Sequence, residues 1–162
     1  MTQILSSRYI GKPVQRIEDS RFLTVSGRFV SDVVIPNMLH MAIFRSPHAH
    51  ARINSIDLSA ARAMTGVIDV FSANEIAMVL PEIPIRLSPF KGFERFLQKP
   101  IAKDKVRYVG EPVAVVVAEN PYLAEDALGS IVIDFDVLPA VTKIEQAELG
   151  EVLLHELSLI HI

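Results

Sequence analysis

The sequence predicts an α+β fold in which short strands alternate with short helices around one hydrophobic core. Three observations carry that prediction. Leu39, Met41 and Ile43 alternate with His40, Ala42 and Phe44, the period of two that a strand with one inward face shows. Residues 113–118 are a continuous apolar run of the kind that fills a central strand buried on both faces. Asn120-Pro121 marks a helix start, because Asn accepts from the orphan amides of the first turn while Pro occupies a position where no donor is missed. The chain has 162 residues, of which 50% are hydrophobic and 22% charged, the overall balance of one packed domain.

Residues 1–9 read as a disordered or extended arm, since polar and apolar types mix there without period, and Gly11-Lys12-Pro13 reads as a loop. The main domain is expected over 10–150, with 151–162 a truncated linker or non-native tail. A helical turn is predicted over 19–23, and Gly27 opens a β-rich run at 28–34 that ends at Pro36-Asn37. After the strand beginning near Leu39, Ser46-Pro47 interrupts, and a second strand covers 51–56. Asp57 or Ser59 then caps a short helix running toward Met64, and Gly66 closes it in the left-handed region. A strand at 67–71 and a brief helix at 72–78 follow.

Residues 80–104 differ in kind, holding Pro81, Pro84, Pro89 and Pro100 together with Phe90, Phe93 and Phe96. About 25 residues without regular period is long for a loop inside a compact domain. The phenylalanines recur every three residues, which suits either a buried apolar stripe or a contact surface for another domain flanked by Arg and Lys. Strand character returns at 106–109, Gly110-Glu111-Pro112 makes a turn, and the apolar run at 113–118 follows. The helix from Pro121 should reach Leu128, where Gly129 weakens its end by roughly 1 kcal/mol relative to Ala. A strand over 131–137 places Ile131, Ile133 and Phe135 on one face, and a last short helix covers 143–148.

Several chemistries lack support. The net charge is -3 and no run of Lys and Arg forms the basic stripe that nucleic acid requires. Without Cys, the chain cannot hold a disulfide, a thiolate zinc site or an iron-sulfur cluster. The first five residues lack the pattern of a secretion signal, and residues 113–118 fall far short of the roughly 20 apolar residues that span a bilayer. A cytoplasmic protein with no membrane segment is therefore expected. The seven glycines are scattered, which excludes a phosphate-cradling loop, and no Gly-x-Ser-x-Gly elbow occurs.

Two pairs deserve weighing as sites. His48 and His50, at i and i+2 on an extended segment, would face one side as a metal pair does, but two ligands are fewer than a site needs. The plainer reading is that they hydrogen-bond to nearby backbone beside a Pro turn. Asp134 and Asp136 share a face and resemble paired carboxylates, although any strand with one wet face shows that alternation.

A family resemblance rests on ordered blocks. Gly11-Lys12-Pro13-Val14, Arg16-Ile17-Glu18-Asp19, Gly27-Arg28-Phe29-Val30 and Arg45-Ser46-Pro47-His48-Ala49-His50-Ala51-Arg52-Ile53 resemble the opening of xanthine dehydrogenase, aldehyde oxidase and carbon monoxide dehydrogenase large subunits. Ala61-Arg62-Ala63-Met64-Thr65-Gly66-Val67 agrees, as do Val106-Arg107-Tyr108-Val109-Gly110-Glu111-Pro112-Val113-Ala114, Tyr122-Leu123-Ala124-Glu125-Asp126-Ala127 and Asp134-Phe135-Asp136-Val137-Leu138-Pro139-Ala140-Val141. The match runs from about residue 10 to residue 156. It implies an α/β hammerhead, a bent mixed β-sheet of about six or seven strands with about three short helices.

The resemblance further implies a structural domain of a molybdenum hydroxylase large subunit, with no catalytic, cofactor-binding or metal-binding residue of its own. Molybdopterin-bound molybdenum and the glutamate base would lie in the longer region that follows, and iron-sulfur clusters and FAD on other domains or subunits. Expected partners are that molybdopterin-binding domain and the iron-sulfur and flavin subunits, and Phe90, Phe93 and Phe96 are the expected inter-domain contact. Other readings stay open: a free-standing interaction module that keeps the fold, self-association as a homo-oligomer, or a small enzyme built on His48, His50 or the Asp134 pair.

Overall fold

A computed structural model describes residues 11, 13–76, 81–84 and 96–155. The chain divides into two compact units, Met1–Met38 and Leu39–Ile162. The first holds α1 (Asp19–Leu23), with Asp19 in its first turn and Arg21 in its last, the order that the helix dipole favours. The Phe22 and Phe29 rings stack at 5.3 Å, and the Arg21 guanidinium lies 5.4 Å from the Phe22 centroid. Residues 28–34, expected as a strand, instead contain a 3-10 turn at Val30–Asp32. The reason is local: the Phe29 amide donates to the Asp32 carboxylate at 2.8 Å, which folds the backbone back on itself.

The second unit contains β1 (His40–Arg45), β2 (Ala51–Asp57), α2 (Ser59–Arg62), β3 (Val67–Ser72) and α3 (Ala73–Ile76). It continues with β4 (Lys105–Val106), β5 (Pro112–Ala118), α4 (Pro121–Leu128), β6 (Val132–Val137) and α5 (Ile144–Leu149). The hammerhead expectation holds in its strand number, and the described residues contain five short helices where about three were expected. The strands assigned to one bent mixed sheet form two three-stranded sheets, ordered β1-β5-β3 and β4-β2-β6, and every described ladder is antiparallel.

The division falls at Ser46-Pro47. Ser46 donates its amide to the Glu111 carbonyl at 2.9 Å and accepts from the Gly110 amide at 2.8 Å, so β1 ends tied to the entrance of β5. Pro47 has no donor to extend the ladder, and the chain leaves for the second sheet as β2. The strand expected at 106–109 shrinks to the two residues of β4, because Tyr108 accepts from the Glu111 amide in a turn completed by Gly110 at φ +90°.

β5 organises the core. Ala114, Val116 and Ala118 join Ala42, Val70 and the helix residues Ala61, Ala124 and Ala127 in one buried cluster. Alanines on both sides of that contact let α4 lie close to the sheet. Val113 enters a second cluster with Ala51, Ala102 and Val106, and Val115 a third with Ala73 and Ile101. Phe44, Ile56 and Ile133 pack against both the first and the second cluster and so join them.

Two local signals act as expected. The Asn120 side chain accepts from the Leu123 amide at 2.9 Å and caps α4, with Pro121 in its first turn. Gly66 has φ +84°, and a Cβ there would stand 2.5 Å from Leu123 Cδ1. Gly66→Ala should therefore cost about 1–2 kcal/mol or more in urea unfolding, whereas Asn120→Ala should cost about 1 kcal/mol. Equal stability of Gly66→Ala and the parent chain would contradict the turn assignment.

Candidate functional site

The histidine pair does not converge as ligands. His50 is buried, and its Nδ1 lies 2.8 Å from the Pro139 carbonyl, so Nδ1 carries the proton and donates. Its Nε2 is buried without a hydrogen-bond partner among the described residues. The His48 ring meets Phe135 edge-on at 5.1 Å, while its backbone amide donates to Ser46 Oγ at 3.0 Å. Each imidazole is thus used in packing β2 and β6 with their flanking turns.

Asp134 and Asp136 lie exposed on β6. Asp134 accepts from Asn54 Nδ2 at 3.1 Å, and Asp136 stands opposite Arg52 in the ladder. Both carboxylates face solvent, and each is engaged with a neighbour on β2 rather than with the other. Phe90 and Phe93 lie outside the described residues. Phe96 is half-buried and meets the His155 ring edge-on, with centroids 5.4 Å apart. Among the described residues, no three His, Cys, Asp or Glu side chains group as metal ligands.

A charged cleft of about 210 Å³ lies beside β4. Its walls are pinned to the sheets: the Ala102 amide donates to Pro112 at 2.8 Å and the Ile53 amide to Asp104 at 2.9 Å. The cations around it are Lys99, Lys103, Lys105 and Arg107, with His155 beside them. Arg107 Nε donates to the Leu154 carbonyl at 3.1 Å and Nη1 to the Lys105 carbonyl at 3.3 Å, while its own amide donates to the buried Glu111 carboxylate.

The sequence reading missed this cleft, although a signal was present. Lys103, Lys105 and Arg107 alternate with other residues, which places three cations on one side of an extended segment. Burial first, then the Arg107 and Lys105 charges, push the His155 imidazole below its ordinary value of 6.5.

The folded chain therefore binds that proton less readily than the unfolded chain. Its contribution to stability is complete above pH 6.5 and declines as pH falls through the lowered folded value. His155→Gln should flatten this part of the pH–stability profile in urea melts on either side of that pH. An unchanged slope would contradict the burial of the ring.

Comparisons with known proteins converge on one family. Residues 24–139 match the family model for the aldehyde oxidase and xanthine dehydrogenase a/b hammerhead domain. The chain is 40% identical over 148 residues to the 6-hydroxypseudooxynicotine dehydrogenase complex subunit gamma of Paenarthrobacter nicotinovorans, covering 89% of this chain and 18% of that protein. It resembles the crystal structure of quinoline 2-oxidoreductase from Pseudomonas putida 86 at 43% identity and a TM-score of 0.75, over 88% of this chain and 18% of that one.

The Cu,Mo-CO dehydrogenase crystal structure aligns at 35% identity and a TM-score of 0.69, over 85% of this chain and 16% of that one. The chain thus spans less than a fifth of the length of each of these three proteins. With the fold and several independent relatives in agreement, the chain belongs to the aldehyde oxidase and xanthine dehydrogenase a/b hammerhead domain family.

Proposed function

We propose that this chain is the hammerhead domain of the large subunit of a molybdenum-containing hydroxylase or dehydrogenase, where it supports the molybdopterin-binding region without performing chemistry itself. The observation that carries this reading is how the buried polar side chains are used. His50 anchors the Pro139 carbonyl, Ser46 closes the turn to His48, Ser72 bonds Glu75, and Glu111 holds the Arg107 amide. Each bond fixes backbone or a neighbouring element, which is what a supporting domain requires. Cys is absent from the sequence, so no thiolate is available to hold an iron-sulfur cluster, and no redox step is assigned to these residues.

Two names among the similar proteins support the wider setting. One relative is a subunit of a dehydrogenase complex, and one similar structure is a Cu,Mo-CO dehydrogenase. In this reading the partners are the molybdopterin-binding region and subunits carrying iron-sulfur clusters and flavin, and Phe90, Phe93 and Phe96 supply the contact with the first of these. Apolar aromatic anchors flanked by Lys91, Arg95 and Lys99 suit that task.

Elemental analysis and oxidation assays with a nitrogen heterocycle and with carbon monoxide test the proposal on the purified 162-residue chain. Neither stoichiometric molybdenum nor turnover is expected, and adding the molybdopterin-binding region in trans should protect residues 90–96 from protease. Molybdenum at one equivalent with turnover would overturn the supporting role.

A further inference from the structure

We propose that the cleft beside β4 binds a phosphate-class oxyanion, either free phosphate or the terminal phosphate of a monoester, between Arg107, His155 and the lysines of the 99–105 segment. Arg107 is the central cation of the cleft. Arg107 is half-buried, and the hydrogen bonds that its guanidinium makes through Nε and Nη1 end on neutral backbone carbonyls. Among the described residues it forms no ion pair with a carboxylate. A cation desolvated in this way retains its field within the cleft, because neither water nor a counter-charge fully screens it. The lowered proton affinity of His155 reports the same field, after the contribution of burial itself.

The carboxylates around the cleft do not cancel that field where it is strongest. Glu111 is the buried one, and its Oε2 is turned to the Arg107 backbone amide. Glu82 and Asp104 are exposed, where solvent and salt screen their charge. Lys99 and Lys103 are exposed, while Lys105 is buried and engaged in contacts of its own. An oxyanion would thus meet a planar guanidinium on a fixed stem, an imidazole able to take up a proton, and two lysines free to close over it.

The shape of the site favours a small ligand. The cleft holds about 210 Å³, space that suits a small anion, with the buried Ala102 and Ile101 in its lining. Its walls are held by backbone hydrogen bonds from the two sheets, so the backbone that carries Arg107 and the lysines is in place before any ligand arrives. Nothing in the supporting role above requires this site, and the proposal stands or falls separately from it.

The test follows the His155 ring by NMR in the 162-residue chain at neutral pH. Inorganic phosphate in one arm and phenyl phosphate in the other are raised at constant ionic strength against chloride. Binding predicts a saturable shift of the His155 resonances and an upward move of its titration when the anion is bound, since the anion offsets the Arg107 and Lys105 charges. Arg107→Gln should weaken the apparent affinity roughly tenfold or more. Lys103→Gln, at an exposed position that does not threaten folding, should weaken it about two- to fivefold.

Saturation by either anion supports the site, and the arm that saturates at lower concentration identifies the source of the phosphate. A response no larger than that to chloride would overturn the proposal. So would an undiminished response in both variants with native spectra.

Discussion

The structure depends on one constraint: β5 must be apolar on both faces because it packs against something on each. Its successive side chains enter three different clusters, with Ala114 and Val116 under α4, Val113 toward the second sheet and Val115 toward α3 and Ile101. A strand flanked by β1 and β3 and buried at Val113, Ala114, Val115, Val116 and Ala118 tolerates no charge at those positions. The same strand also locates the charged cleft, since its first residue, Pro112, accepts from Ala102 and its preceding turn carries Glu111. Core and cleft therefore share a single element, and a displacement of β5 would move both.

Two sheets with one continuous interior explain how a small domain can be rigid with few large side chains. The fully buried residues of greatest volume are only valines, Val70, Val106, Val113 and Val116. Alanines at the α4 contact keep the helix close, and close packing supplies dispersion energy that larger but looser residues would forfeit. Arg62 adds a polar tie on the far edge, donating from Nε to the Val70 carbonyl at 2.9 Å and from Nη2 to Glu75 at 3.2 Å. Burial raises the Glu75 pKa, but the Ser72 hydrogen bonds and Arg62 outweigh it and hold the carboxyl below its usual value.

How much was legible in the sequence depended on whether the determining interactions were local. The run at 113–118, the Asn120-Pro121 cap and Gly66 were readable because each encodes its own geometry in adjacent residues. The run at 28–34 reads as strand by composition, yet one carboxylate three residues from Phe29 outweighs that preference. The separation into two sheets was not readable, since it rests on pairings such as Ile56 with Ile133 and Ile43 with Val115 that lie far apart in the chain. Among the site residues, His48 and His50 were visible as a pair, but their partners Phe135 and Pro139 come from the distant β6 and the turn after it. The cleft escaped for the same reason, because His155 reaches the alternating cations only through the fold.

Native-state hydrogen exchange tests the central position of β5 most directly. The amides of Ala114, Val115, Val116 and Val117 are expected to exchange only through global unfolding and to be the slowest in the chain, with those of β4 and α5 opening far earlier. If the β5 amides exchanged through local opening, at rates like those of β4, the strand could not be the common support of both sheets, and the account of the fold would fail.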